Sequence, residues 1–65
     1  MIEVTRLNGV KMILNDDQFE LIESLPDTTI TMINGRKHIV KESVDEVIQL
    51  VKSYNKEIFL DKKNA

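Results

Sequence analysis

Apolar and polar residues alternate from 2 to 6 and from 10 to 14, and again from 29 to 32 and from 37 to 41, with an Asn-Gly pair inside each gap. Period-two alternation marks a strand with one covered face. Asn-Gly between two such runs marks a hairpin, because glycine takes positive φ without steric cost. The side-chain faces choose the loop length. A two-residue turn at Asn8-Gly9 would pair Val4 with Ile13 and mix both faces. A three-residue loop with Gly9 in the left-handed region instead pairs Val4 with Met12 and Ile2 with Leu14. That register gathers Ile2, Val4, Val10, Met12 and Leu14 inside and leaves Glu3, Thr5, Lys11 and Ile13 outside, a separation that a one-residue slip would undo. The same loop at Ile33-Asn34-Gly35 puts Ile30, Met32, His38 and Val40 inside and Thr29, Thr31, Lys37, Ile39 and Lys41 outside.

Two stretches follow the helical period instead. Phe19, Ile22 and Leu25 form a short stripe, widened by Leu21, that predicts a helix over residues 16 to 24. Asn15 or Asp17 would cap it, and Leu25-Pro26 would end it, since proline disfavours helical geometry in the preceding residue. Val44, Val47, Ile48, Val51, Tyr54 and Ile58 recur at i, i+3, i+4 and i+7 behind Ser43 and Glu46 at capping-box spacing, which predicts a longer second helix. Asp45 and Glu46 near its start and Lys52 and Lys56 near its end suit the helix dipole.

These elements repeat. Thr5, Asn8, Gly9, Lys11, Ile13, Glu20 and Ile22 recur, at an offset of about 26 residues, as Thr31, Asn34, Gly35, Lys37, Ile39, Glu46 and Ile48. The chain therefore reads as α+β, a duplicated β-hairpin-helix (ββαββα), with a four-stranded antiparallel sheet and two helices on one face. Residues 1–60 form one domain, and residues 61–65 read as a flexible C-terminal tail.

With 65 residues the chain has room for a single small core that hides only about 60% of its unfolded surface. It has no cysteine and one histidine, so neither a disulfide framework nor a metal cluster is expected, and a homo-oligomer is the remaining way to bury more area. Hydrophobic content of 42% with 31% charge fits a folded domain. No apolar run approaches the roughly 20 residues of a membrane span, and residues 1 to 6 lack a signal-peptide core, so a cytoplasmic location is expected. The net charge of -2 and pI near 5.2 argue against a general nucleic-acid footprint. Residues 1 to 33 carry two basic and six acidic groups, a net of -4, while residues 34 to 65 carry seven and five, a net of +2. That asymmetry can orient a charged partner.

Reactive chemistry is sparse. His38 is the obvious acid-base candidate but has no nucleophile placed beside it by motif, so a structural or surface role is favoured. Asp16 and Asp17, alone or with Glu20, are explained as first-turn acids. Neither Asn-Gly loop is a phosphate loop, since each joins strand to strand, and Asn8, Gly9, Asn34 and Gly35 are read as turn residues. No catalytic residue, metal, cofactor or small-molecule substrate is expected. Surface features say more. Ile13 and Ile39 stand among threonines and lysines on the outer face, Arg6 and Arg36 flank the two loops, and Phe59 and Leu60 fall off the helical stripe. Salt bridges to Asp27 or Glu42 are the simpler use of the arginines.

Val4-Thr5-Arg6-Leu7-Asn8-Gly9, then Leu14-Asn15, Ile22-Glu23, Pro26-Asp27-Thr28, Ile30, Gly35, Val40, Glu42 and Glu46-Val47-Ile48 together resemble the FlbD/SwrD family of small bacterial flagellar proteins over residues 2 to 55. Met12 departs from it where an aromatic is common. The resemblance implies a part in flagellar motility and swarming and in the power delivered by the motor, and it brings no catalytic residue. Carried over by position, Thr5, Arg6, Leu7, Asn8 and Gly9 are its candidates for a family-specific surface. Residues and resemblance together lead to a non-enzymatic cytoplasmic protein, at the cytoplasmic side of the motor, that binds a flagellar motor or stator component. Its candidate contacts are Thr5, Arg6, Leu7, Ile13, Arg36 and Ile39, through the outer sheet face or the Arg6 loop, with Phe59 and Leu60 as a second option. The alternative is a small nucleic-acid-binding regulator of flagellar expression using Arg6, Arg36, Lys37 and Lys41, which the acidic pI and the lack of strand aromatics disfavour.

Overall fold

A computed structural model describes residues 1–64, with side chains described for residues 1–54. The order of elements is β1 (Ile2–Thr5), β2 (Lys11–Leu14), a single 3-10 turn (Asp16–Gln18), β3 (Phe19–Glu23), β4 (Thr28–Met32), β5 (Lys37–Val40) and α1 (Val44–Asn64). β1 and β2 form a two-stranded antiparallel sheet, and β3, β4 and β5 form a three-stranded one in that order. An antiparallel bridge between Arg6 and Val40 joins them, beside a hydrogen bond from the Lys41 N–H to the Thr5 C=O at 2.8 Å. The expected four-stranded sheet with two helices is therefore replaced, among the described residues, by five strands and one helix.

Both hairpins have the three-residue loop. Val4 pairs with Met12 and Ile2 with Leu14, while Ile30 pairs with His38 and Thr28 with Val40. The turns are near copies: Gly9 and Gly35 each have φ of +89°, and each donates its N–H to the carbonyl three residues earlier, Arg6 at 2.8 Å and Met32 at 2.9 Å. The Asn8 and Asn34 side chains accept from the Val10 and Arg36 amides, both at 3.0 Å. This is a type I turn closed by a glycine bulge, in which asparagine satisfies the amide after the glycine.

The expected first helix is a strand. Asn15 does act as a cap, accepting from the Asp17 amide at 3.1 Å, but it caps only the 3-10 turn. The chain then extends and pairs with β4, and a bulge between Phe19 and Leu21 shifts the register so that Phe19 faces Met32 and Ile22 faces Ile30. Two apolar residues three apart thus reach the same face of a strand, and their spacing imitates a helix turn. The repeat therefore holds for hairpin and turn and then diverges, with β3 in one copy and α1 in the other.

Ile2, Val4, Leu14, Ile30, Met32, Val40 and Val47 form the core, with Met12, Phe19, Ile22, Val51 and Tyr54 packed against it. One face of α1 closes this core over the strands. Its start is the expected capping box, with the Glu46 amide donating to Ser43 Oγ at 3.1 Å and the Ser43 amide to Glu46 Oε1 at 3.3 Å. Three facial expectations need correction. Val10 is exposed, because it lies in the bulge leaving the first turn, outside the paired strand. Thr29 and Thr31 are buried, because β4 is a central strand whose small threonines lie, in register, between Glu23 and Ile39 and between Leu21 and Lys37. Ile48 stays at the surface beside the core stripe of α1. The side chains of Ile58, Phe59 and Leu60 lie outside those described, as does Ala65, and α1 runs on to Asn64 through positions 61–64.

Candidate functional site

The first hairpin and β5 run side by side only briefly. After the Arg6–Val40 bridge the chain turns away through Leu7, Asn8 and Gly9 while β5 continues back towards Lys37. The divergence opens a groove of about 370 Å³, lined by Arg6, Leu7, Asn8, Met12 and the β5 residues Lys37, His38 and Ile39. Leu7 and Ile39 are 48% and 47% exposed, a high value for aliphatic side chains set next to each other in a concave surface. Every titratable residue lining the groove is basic. The ion pairs among the described residues are Met1 with Asp16 at 2.8 Å and Lys11 with Glu3 at 3.7 Å, so neither Arg6 nor Lys37 has an acidic partner there. The expected bridges from Arg6 and Arg36 to Asp27 or Glu42 are not formed.

Glu42 is used elsewhere. Its Oε1 accepts the Thr5 amide at 2.9 Å and its Oε2 accepts the Thr5 hydroxyl at 2.8 Å. Burial pushes the Glu42 carboxyl up, but the Thr5 amide and hydroxyl, its own backbone amide and the Lys11 charge outweigh burial and hold it below its ordinary value. Together with the Lys41 amide on the Thr5 carbonyl, this latch fixes where β1 meets the connection between β5 and α1. It thereby sets the mouth of the groove one residue before Arg6.

The candidate residues therefore separate. Arg6, Leu7 and Ile39 come together in the groove, joined by Lys37 and His38, which sequence reasoning had assigned to other roles. Thr5 lies at the junction, engaged by Glu42. Ile13, on β2, is 60% exposed and does not line the groove, and Arg36 is exposed on the second loop. His38 faces Ile30 in register and is half-buried, with no serine, cysteine or carboxylate among the residues lining the groove.

A second groove, of about 540 Å³, runs along α1 and is acidic, with Glu3, Glu42, Asp45 and Glu46 against Lys11. Its charges have structural occupations: Glu42 on Thr5, Glu46 on Ser43, Glu3 on Lys11, and Asp45 in the first helical turn. Among the described residues no cluster of three His, Cys, Asp or Glu could hold a metal, and no helix is long and apolar enough to cross a membrane.

Against known families, the model for FlbD, described as flagellar and swarming motility proteins, matches residues 1–59. The chain belongs to the FlbD family. That match spans both hairpins and most of α1, so the groove lies wholly within it. Membership assigns the protein to flagellar and swarming motility, in a family not known for enzymes. No curated protein and no solved structure matches the chain.

Proposed function

We propose that this FlbD-family chain is a non-enzymatic cytoplasmic protein that supports swarming by binding a flagellar motor or stator component through the groove beside the Arg6 loop. The observation that carries this reading is the meeting of Leu7 and Ile39 with two cations that have no acidic partner among the described residues. The core does not need these side chains, and water alone is a poor neighbour for them. A binding role also fits the lining, which offers His38 no nucleophile to activate.

The test is a chromosomal Ile39→Glu substitution, with swarming scored alongside protein level and filament staining. Impaired swarming with filaments assembled and normal protein level is the expected outcome. Normal swarming, or cells without filaments, would overturn the reading. Nucleic-acid binding would draw on the same cations with Arg36 and Lys41. It is disfavoured by the aliphatic lining, with no Phe, Tyr or Trp on which a base could stack, and by the chain's net negative charge.

A further inference from the structure

We propose that the groove receives an extended, acidic segment of a partner protein as an added antiparallel strand on β5. This inference rests on the binding role above and specifies the chemistry of the partner.

The backbone of β5 carries the case. Arg36 accepts from the Met32 amide, and His38 pairs with Ile30, so even-numbered residues of this strand turn their polar groups towards β4. The Lys41 amide points the other way, to the Thr5 carbonyl. By strand alternation Lys37 and Ile39 share that direction, so their N–H and C=O groups face the groove. Among the described residues no backbone hydrogen bond joins Lys37 to the first hairpin, while the Arg6–Val40 bridge sets Leu7 opposite Ile39. β1 thus begins an antiparallel ladder on this edge at Lys41 and leaves it at Leu7, and an incoming strand would continue the same ladder.

The side chains choose the occupant. Arg6, Lys37 and His38 line the groove with no carboxylate among them, which favours acidic residues over basic ones. Leu7, Met12 and Ile39 supply apolar contacts for alternate side chains of the guest. The edge from Lys37 to Ile39 is short, about 10 Å at strand spacing, so roughly three guest residues fill it. A nucleic acid would use the cations but not the backbone edge or the aliphatic floor.

The probe is a blocked peptide of about eight residues alternating glutamate and valine, long enough to overrun the edge at both ends. It is titrated against the full chain by fluorescence anisotropy, with amide hydrogen exchange read by NMR. Binding is expected to weaken severalfold as salt rises from about 0.05 to about 0.5 M, because the charges involved are exposed. Reversing both cations, Arg6→Glu with Lys37→Glu, is expected to weaken it by about tenfold or more. Exchange at the Lys37 and Ile39 amides should slow on binding while Lys52 is unchanged. A peptide N-methylated at alternate residues, which keeps its charge but loses ladder donors, should not bind in the frame that places those residues against β5. Absence of binding, equal binding of a lysine-valine peptide, undiminished binding in both N-methylated frames, or preference for oligothymidylate would each overturn the proposal. Melting curves of the variants verify folding. A swarming defect in Ile39→Glu alongside failed peptide binding would sink the strand proposal and leave the motility reading standing.

Discussion

Removing the Glu42 carboxylate tests how the two sheets are held in register. Glu42→Ala deletes two hydrogen bonds to a charged acceptor, from the Thr5 amide at 2.9 Å and the Thr5 hydroxyl at 2.8 Å. Such bonds are worth about 1.5–3 kcal/mol each when sheltered, and water reaches this half-buried group, so a total loss of about 2–3 kcal/mol is expected. At about 4–8 °C per kcal/mol for a domain of this size, the melting temperature should fall by about 10–20 °C. Thr5→Val keeps the amide bond and should cost about 1 kcal/mol, and the double variant should show a coupling of similar size. The sign of the pH dependence follows from the lowered Glu42 pKa. The unfolded chain takes up this proton more readily than the folded one, so the latch contributes fully above the ordinary value of 4.5 and is lost as pH falls through the lower folded value. Thermal melts of wild type and Glu42→Gln from neutral pH downward should therefore converge in acid. If the variant melts with wild type at neutral pH, or if the gap widens as pH falls, the latch does not hold the junction.

Other outcomes follow from positions already described. A Cβ at Gly9 or Gly35 meets nothing within 4 Å, so Gly9→Ala and Gly35→Ala should each cost only the backbone term, about 1–2 kcal/mol, and nearly the same amount. A denaturant melt that separates the two widely would refute the equivalence of the turns. Val47→Ala removes a fully buried contact of α1 and should cost about 1–3 kcal/mol by the same assay, whereas Ile13→Glu, at a 60% exposed site, should shift stability by about 0.5 kcal/mol or less. Substituting Ser43 by alanine should lower helix stability by about 1 kcal/mol, seen as faster amide exchange in the first turn of α1.

Much of this fold was legible because its signals are local. Asn-Gly fixed both turns, and the need to keep Val4 with Met12 on one face selected the register. Ser43 and Glu46 announced the start of α1. The failure lay at Phe19 and Ile22, where spacing of three suits a helix and a bulged strand equally well, while Leu25 lies exposed beyond β3. What decides between them is the bonding offered by β4, a partner distant in sequence. Burial of Thr29 and Thr31 was hidden for a related reason, since alternation reports which face a residue takes but not how many strands flank it. At the candidate site, Leu7 and Ile39 could be named from matched positions in the repeat, and Arg6 from its place beside the first loop. Lys37 and His38 joined them only through the divergence of two strands, which no local pattern records.

The first hairpin is anchored at its base by Ile2, Val4 and Leu14 in the core and by the Thr5 latch, while its tip stands apart from β5. It behaves as a leaf clamped along one end. Flexing such a leaf would widen or narrow the gap while leaving the bonds at its base intact, on the nanosecond-to-microsecond scale expected of loops. For the proposed guest, the angle of the leaf would set the bulk accommodated and the stiffness of the clamp at Thr5 how tightly it is gripped.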